Sequence, residues 1–561
     1  MTTASHPTPT TARDGAAPAA WLPLVVIVLA QIQMSFNINA LPVSVGRIAE
    51  DLHVPATSIA TAMVVYSLFV AALVMVGAKL GRMLGERLVF QAGVAVHAVA
   101  MGRMAFSSDA RTMDNAQALA GVAAAAIIPT LVVLIAANYR GRQQALALGI
   151  LAGAQPIAGA LAFFIAGFLG STVGWRYSFG MLMFLAIAVI FLSFQLQPVP
   201  REKGVRIDLR GAVLAATAIA LISFGVNNLN SWGLVLAKSA APFSPVGLSP
   251  APFMVVIGVV MGEAFFVWSQ YRVAAGRTPL LSLEVLDSRE KRATIYALFV
   301  IGGLGPAVNF LIPLYIQIVQ DRSTLFTAVA VVPYTAAIAG AAIFIGRLYD
   351  WLSPRTIGAL AFVLVAAGLT LLGFTVNNQW GTPVVVLGLI LTGLGEGSLL
   401  TLLFNLLVAL SPRELAGDVG ALRGMANNLS TGLGTAFASV IAVALLSLYV
   451  TAALNRSTIP DSLKGEVDLD NVNFVTNTHL KDVLGKTSAT PEQVNEGVRI
   501  NEEARLRALN ASFLILAAIA LLAIFPALAL PKHNPVLAEA EAEPAPPDPA
   551  LVPGPSNGEE G

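Results

Sequence analysis

The chain has 561 residues, 56% of them hydrophobic and 12% charged, with a mean hydropathy of +0.75; a soluble domain carries roughly twice that charged fraction, so water is not its main solvent. Lys and Arg number 33 against 32 Asp and Glu, a net charge of +1, and no basic block interleaved with aromatics is present, which removes nucleic acid as a partner. The lack of cysteine removes disulfides, thiolate metal sites and a cysteine nucleophile.

In chain order, residues 1–20 are rich in Thr, Ala and Pro and lack the basic start and short apolar core of a cleaved leader, so a cytosolic tail is expected there. A bilayer crossing needs about 20 mostly apolar residues, and fourteen such stretches follow. The first six lie near Trp21–Val43, Ser58–Leu80, Leu88–Ser107, Gln117–Ala137, Gln144–Gly170 and Tyr177–Leu196. A pair follows near Leu209–Asn227 and Phe253–Gln270. Six more lie near Thr294–Val319, Thr327–Phe344, Thr356–Phe374, Val384–Leu410, Val419–Ser447 and Ala508–Leu530. Alternate loops collect Arg82 and Arg87, Arg140 and Arg142, Arg201 to Arg210, Arg272 to Arg292, Arg347 and Arg355, and Arg413. Cytoplasmic loops retain positive charge, so both termini are expected inside.

The expected organisation is therefore a tail at 1–20, a six-helix bundle at 21–200, an inserted helix pair with its flanking loop at 201–275, a second six-helix bundle at 276–530 with an external loop at 455–507, and a tail at 531–561. Thr490-Pro491-Glu492-Gln493 has the form of a capped helix start leading into the last span. The tail's Glu-Ala repeats and prolines are too poor in apolar residues to fold.

The turn after the second span reads Gly77-Ala78-Lys79-Leu80-Gly81-Arg82-Met83-Leu84-Gly85-Glu86-Arg87, and a related turn after the tenth reads Gly346-Arg347-Leu348-Tyr349-Asp350-Trp351-Leu352-Ser353-Pro354-Arg355. A glycine, a base and a leucine thus recur in two six-helix blocks, as in transporters built from parallel repeats. Over Trp21 to Leu530 the chain resembles the major facilitator superfamily, in its fourteen-helix branch of drug:proton antiporters. Ala40-Leu41-Pro42 is similar to the end of that branch's first-helix signature, and Tyr66 to a tyrosine usual in its second helix. Leu119, Gly121 and the run Ala123 to Pro129 resemble its fourth helix, and Pro156 with Gly159 its fifth-helix antiporter motif. Trp175-Arg176-Tyr177-Ser178-Phe179 is similar to the aromatic turn that follows, while Pro279-Leu280-Leu281, Tyr315-Ile316-Gln317 and Pro333 fit the second half. The resemblance implies an all-α polytopic membrane protein of the major facilitator fold, two six-helix bundles plus an inserted pair, in a bacterial inner membrane.

The departures bear on mechanism. The family's first-helix aspartate falls on Gln33, its fourth-helix arginine on Gln117, the glycine before the antiporter proline on Gln155, and the aspartate of the first turn on Arg82, with Glu86 where the family prefers a base. No titratable group remains at the first-helix position, which moves the search for a proton carrier to the second half. There Glu396, within Gly393-Leu394-Gly395-Glu396-Gly397, is flanked by glycines that let another helix or a ligand come close. Charge at bilayer depth costs several kcal/mol, so this carboxyl faces a cavity or a partner and suits reversible protonation. Arg423 shares a helix face with Asn427, the position where the family's usual arginine falls, and an ion pair between Glu396 and Arg423 is the structural alternative.

Gln33 and Asn37, on one face of the first span, together with Gln155, Asn309, Gln317, Asn405, Arg423 and Asn427 make up the expected substrate cavity, although amides equally bond neighbouring helices. Glu263, in the inserted pair, reads as a packing acid bonded to a neighbour, His97 as a packed or bonded histidine, and Asp418 as an acid at a helix N-terminus. By the resemblance Arg347, Asp350 and Arg355 form a latch between bundles, with Arg82 and Glu86 as its charge-swapped or lost counterpart. The leading function is export of small amphipathic organic compounds by alternating access, with protons as the candidate coupling ion. A proton-independent facilitator or importer of a polar or anionic metabolite, with Arg423 as counter-ion, and a degenerate transporter serving as membrane sensor or scaffold, are the alternatives. No metal, cofactor or enzymatic constellation is expected, and the working unit is expected to be a monomer in the lipid bilayer.

Overall fold

In the computed structural model the described residues are 21–139, 141–201, 207–348, 351–377, 383–411, 416–457, 459–460, 474–487 and 489–533. The expected tail at 1–20, the tail beyond 533 and Asp350 lie outside them. The apolar stretches fold as helices: α1 (Leu22–Val43), α2 (Val45–Asp51), α3 (Ala56–Leu84), α4 (Glu86–Ala105), α5 (Ala110–Asn138), α6 (Gly141–Thr172), α7 (Arg176–Ser193), α8 (Leu209–Asn227), α9 (Leu229–Trp232) and α10 (Pro250–Ala274). The second half continues with α11 (Arg289–Leu314), which runs into a π-helical turn (Tyr315–Val319), then α12 (Thr324–Ala330), α13 (Val332–Leu348), α14 (Pro354–Thr375), α15 (Pro383–Ala409), α16 (Ala416–Leu454), α17 (Asn477–Leu484), α18 (Pro491–Leu522) and α19 (Ile524–Ala527). Among the described residues β-structure amounts to one isolated bridge, Leu236 to Leu248.

Backbone groups in hydrocarbon must be satisfied within their own segment, which leaves a helix as the solution for each stretch. Thirteen helices among the described residues are long and apolar enough to cross a membrane, and within α6 Leu161–Thr172 forms a shorter apolar stretch. Starts are marked by hydroxyl caps: Ser288, Ser323 and Ser353 each accept the N–H three residues on. The α3–α4 turn needs Gly85, whose φ of +101° disfavours a side chain. At Thr490 the expected capping box is formed, with Gln493 N–H donating to Thr490 Oγ1 at 3.4 Å and Thr490 N–H to Gln493 Oε1 at 2.8 Å. From this cap α18 runs unbroken through the expected start of the last span at Ala508, so its first turns stand beyond the bundle.

Between apolar helices in lipid, close backbone approach replaces the hydrophobic effect as the packing force. A Cβ on Gly121 would lie 2.5 Å from the Tyr66 carbonyl, and one on Gly434 2.1 Å from the Gly303 carbonyl. These contacts bind α5 to α3 and α11 to α16. The halves meet along α3 and α16, where Gly432 faces Ser67 and Gly424 faces Val74. The inserted pair α8 and α10 lies outside this seam: Asn227 donates to Thr61 Oγ1 of α3 at 3.3 Å, and Asn230 to the Val440 carbonyl of α16 at 2.9 Å. At the other end of the pair Asp208 accepts from Trp268 Nε1 at 3.1 Å and faces Arg272 at 3.5 Å.

Candidate functional site

Two faces define the molecule's ends. The basic face carries the α3–α4 and α13–α14 turns; the opposite face carries α2, the π-turn and α17. Halfway between them, α15 turns Gly393 and Gly397 to α13, where added Cβ atoms would lie 2.5 and 2.3 Å from the carbonyls of Tyr334 and Ile338. Gly395 makes the same approach to Ala361 of α14, at 2.4 Å. With both glycine faces locked against neighbours, Glu396 is left pointing at α11, where Gly305 makes room for it: a Cβ there would stand 2.1 Å from Glu396 Oε1. The other carboxylate oxygen accepts a hydrogen bond from the Tyr334 hydroxyl. Both side chains are buried.

Arg423 is elsewhere. Its guanidinium lies over the Phe404 ring, 3.6 Å from the centroid, and among the described residues no ion pair joins it to Glu396, so the structural alternative raised by the sequence is not realised. The cation uses an aromatic face, and the acid uses a phenol. Asn427, one turn along α16, approaches Gly302 of α11, 3.9 Å from its Cβ position. Asn309 lies half-buried on the same α11 face as Gly302 and Gly305, and Asn405 half-buried on α15. Asn309, Asn427 and Glu396 thus surround one stretch of α11.

In the first half Asn37 and Gln117 form a reciprocal amide pair, 2.9 and 3.1 Å, between α1 and α5. The positions where the resemblance implied an acid and a base, Gln33 and Gln117, thus flank or form a neutral link. Gln33, one turn from Asn37, is fully enclosed, and neither of its amide atoms has a hydrogen-bond partner; both ring nitrogens of buried His97 on α4 share that condition. Gln155 is on α6, and its side chain lies outside the described residues.

Gln317 does not line open space. From the π-turn its amide donates to the Val43 carbonyl at 2.6 Å and accepts from Gly46 N–H at 2.8 Å, joining the second half to the end of α1. Beside it Thr324 Oγ1 donates to the Gly167 carbonyl of α6 at 3.0 Å. The halves are therefore closed at the opposite face. On the basic face Glu86 is buried over Gly81 while Arg82 is exposed. Arg347 is exposed beside the Phe344 ring, and Arg355 donates from Nε to the Leu530 carbonyl at 3.3 Å, which ties the α13–α14 turn to the end of the last span.

Two functional residues escaped the sequence reading. Tyr334 holds the acid, and the signal for it was the internal repeat: it precedes Gly346 at nearly the spacing by which Tyr66 precedes Gly77, and each tyrosine carbonyl meets a glycine, Gly121 or Gly393, at 2.5 Å from the Cβ position. Arg505 on α18 is the other. Fully buried, it donates to the carbonyls of Ile318, at 3.3 Å, and Val475, and to Asn477 Oδ1. No sequence signal separates it from the charged residues around it.

Residues 26–435 match the Major Facilitator Superfamily. The chain is 27% identical over 440 residues to the multidrug efflux pump LfrA of Mycolicibacterium smegmatis, covering 78% of this chain and 83% of that one. It is 26% identical over 460 residues to the puromycin resistance protein pur8 of Streptomyces alboniger (79% and 86%) and 24% identical over 456 residues to the tetracenomycin C resistance and export protein of Streptomyces glaucescens (79% and 80%). A bacterial homolog of the human lysosomal transporter Spinster, solved inward-facing and occupied, shares the fold at a TM-score of 0.60 with 12% identity, over 91% of this chain and 97% of that one.

Proposed function

Because the chain belongs to the Major Facilitator Superfamily, we propose a reading of its mechanism in which Glu396 carries the coupling proton. The protein is a multi-pass membrane transporter, not an enzyme, and it exports small organic compounds. Counting α6 as a full crossing gives fourteen spans, and the positive-inside rule puts the basic face and both termini in the cytoplasm of a bacterial inner membrane. The names of relatives directed at puromycin, tetracenomycin C and multiple drugs support antibiotic-like, amphipathic cargo. Alternating access is a rocking of α1–α7 against α11–α18 about the midplane, with one chain as the transport unit.

The observation that carries the coupling assignment is the partner of Glu396, a hydroxyl and not a cation. A carboxylate with a cationic partner is fixed as an ion pair; one with a phenol on one side and the bare backbone of Gly305 on the other exchanges a proton whenever helix movement admits water. Asn309, Asn427 and Asn405, with Gln33 and Asn37 in the other half, supply the few polar groups that orient cargo in an otherwise apolar cavity. Arg82, Glu86, Arg347 and Arg355 act at the cytoplasmic turns. In sealed vesicles, Glu396→Gln is expected to abolish export driven by a pH gradient while cargo binding persists; gradient-driven export at the wild-type rate would remove Glu396 from coupling.

One observation favours a second reading. Arg423 stacks on Phe404 without a carboxylate partner among the described residues, as a counter-ion for an anionic metabolite would, and counterflow without a pH gradient that is lost in Arg423→Gln would establish that facilitator.

A further inference from the structure

The transport reading leaves one intramembrane acid unused. Glu263 sits at the middle of the 25-residue α10 and is exposed on the outer surface of the inserted pair. Among the described residues it makes no hydrogen bond or ion pair, so the packing role expected from sequence is not realised. The inner face of α10 is spent on α8: a Cβ on Gly258 would lie 2.9 Å from Ile222 N and 3.0 Å from the Ala218 carbonyl. Its outer face has no partner among the described residues, with Val259, Val260, Phe266 and Val267 all exposed around the acid.

A carboxyl presented to lipid at mid-depth is costly unless it is bonded or paired. Loops and snorkelling do not relieve it, because Glu263 is about 20 Å from the start of α10 at 1.5 Å per residue and its side chain is short. A small molecule needs a concave site, whereas this is the convex outer face of a helix whose glycines, Gly258 and Gly262, both turn inward to α8. The shape fits another helix.

We infer that α10 is the surface through which two copies of this chain associate, Glu263 of one bonding Glu263 of the other. Neutral carboxyl groups are each donor and acceptor, so two of them satisfy each other across a two-fold axis. Two copies inserted the same way up bring their acids to equal depth without any further requirement, whereas a foreign helix would have to supply a donor there. Because the inserted pair lies outside the seam of α3 and α16, the pairing leaves each chain its own transport path.

The chain has no cysteine, so single cysteines report on the interface directly. In lipid nanodiscs, full-length protein carrying Val260→Cys or Val267→Cys is expected to cross-link to a second copy, while Leu360→Cys, equally exposed on the distant α14, is not. Adding Glu263→Ala should lower the cross-linked fraction about five- to thirty-fold, the worth of an interhelical hydrogen bond in a bilayer. Glu263→Gln, whose amide also pairs with itself, should retain most of it. Export by both variants is expected at the wild-type rate, which also confirms that they fold. Equal cross-linking at α10 and at Leu360, or cross-linking indifferent to Glu263→Ala, overturns the inference. So does an α10 shielded from lipid-soluble maleimide but never cross-linked to itself, because another partner would then hold the face.

Discussion

A carboxyl in the hydrocarbon layer is defined by what it bonds. Glu396 accepts from the Tyr334 hydroxyl on one oxygen and lies against Gly305 on the other, so among the described residues the phenol is the side-chain partner through which its charged and neutral forms are balanced. A hydrogen bond to a charged group is worth about 1.5–3 kcal/mol. Tyr334→Phe removes the donor and leaves the ring and its packing, and gradient-driven export at neutral pH is expected to fall about tenfold. The pH midpoint of export should move while the thermal midpoint changes little. A variant with an unmoved pH profile would show that the phenol serves packing and that coupling does not pass through it. The buried amide of Gln33 and the ring of His97 pose a related question, since enclosed polar atoms without partners cost about 1–3 kcal/mol each and invite water. The first half thereby holds uncharged polar groups at the depth where the second half holds its acid.

The last span shows how an element can reach beyond the membrane and still govern it. Because α18 is one helix from Pro491 to Leu522, its outer turns stand rigidly above the bundle, and Arg505 there fastens three things at once: the π-turn through Ile318, the segment before α17 through Val475, and α17 itself through Asn477. Arg505→Ala strands these acceptors in a buried place, so stability is expected to fall by about 3 kcal/mol, read as a lower thermal midpoint, with faster proteolysis at 474–490. Arg505→Lys should not restore it, because an ammonium cannot span the fork; full rescue by lysine would reduce the interaction to simple charge. The spans themselves were legible in the sequence because hydropathy sums locally along a helix, and the Thr490 cap because its two bonds join residues three apart. Which helix Glu396, Arg423 and Arg505 face was not legible, since that depends on the rotation of each helix against neighbours hundreds of residues away. The pairing of Glu396 with Arg423 suggested by charge alone fails for this reason: glycines at 393, 395 and 397 fix the rotation of α15 and aim the acid at α11.

At the scale of the whole molecule the two halves repeat a packing motif and differ in charge. Tyr66 against Gly121 and Tyr334 against Gly393 place equivalent helices at equivalent distances, yet the chain keeps an acid beside the second tyrosine only. A rocking motion needs a contact that is made in one state and broken in the other, and the best-defined contact between the halves is Gln317, bonded to Val43 and Gly46 at the face opposite the basic turns. Both bonds run from one half to backbone of the other, so they exist only while that face is closed. Gln317→Ala removes them at a cost of about 1–3 kcal/mol to the closed state, enough to change a two-state ratio about five- to 150-fold. With spin labels at Arg47→Cys and Arg322→Cys, exposed on the two sides of this contact, the distance distribution in bilayers should gain a longer component in the variant. Thr324, bonded to Gly167 nearby, would remain as the weaker tie. An unchanged distribution would mean that the closed face is held by helix packing alone, and the control of access would then have to be sought along α3 and α16.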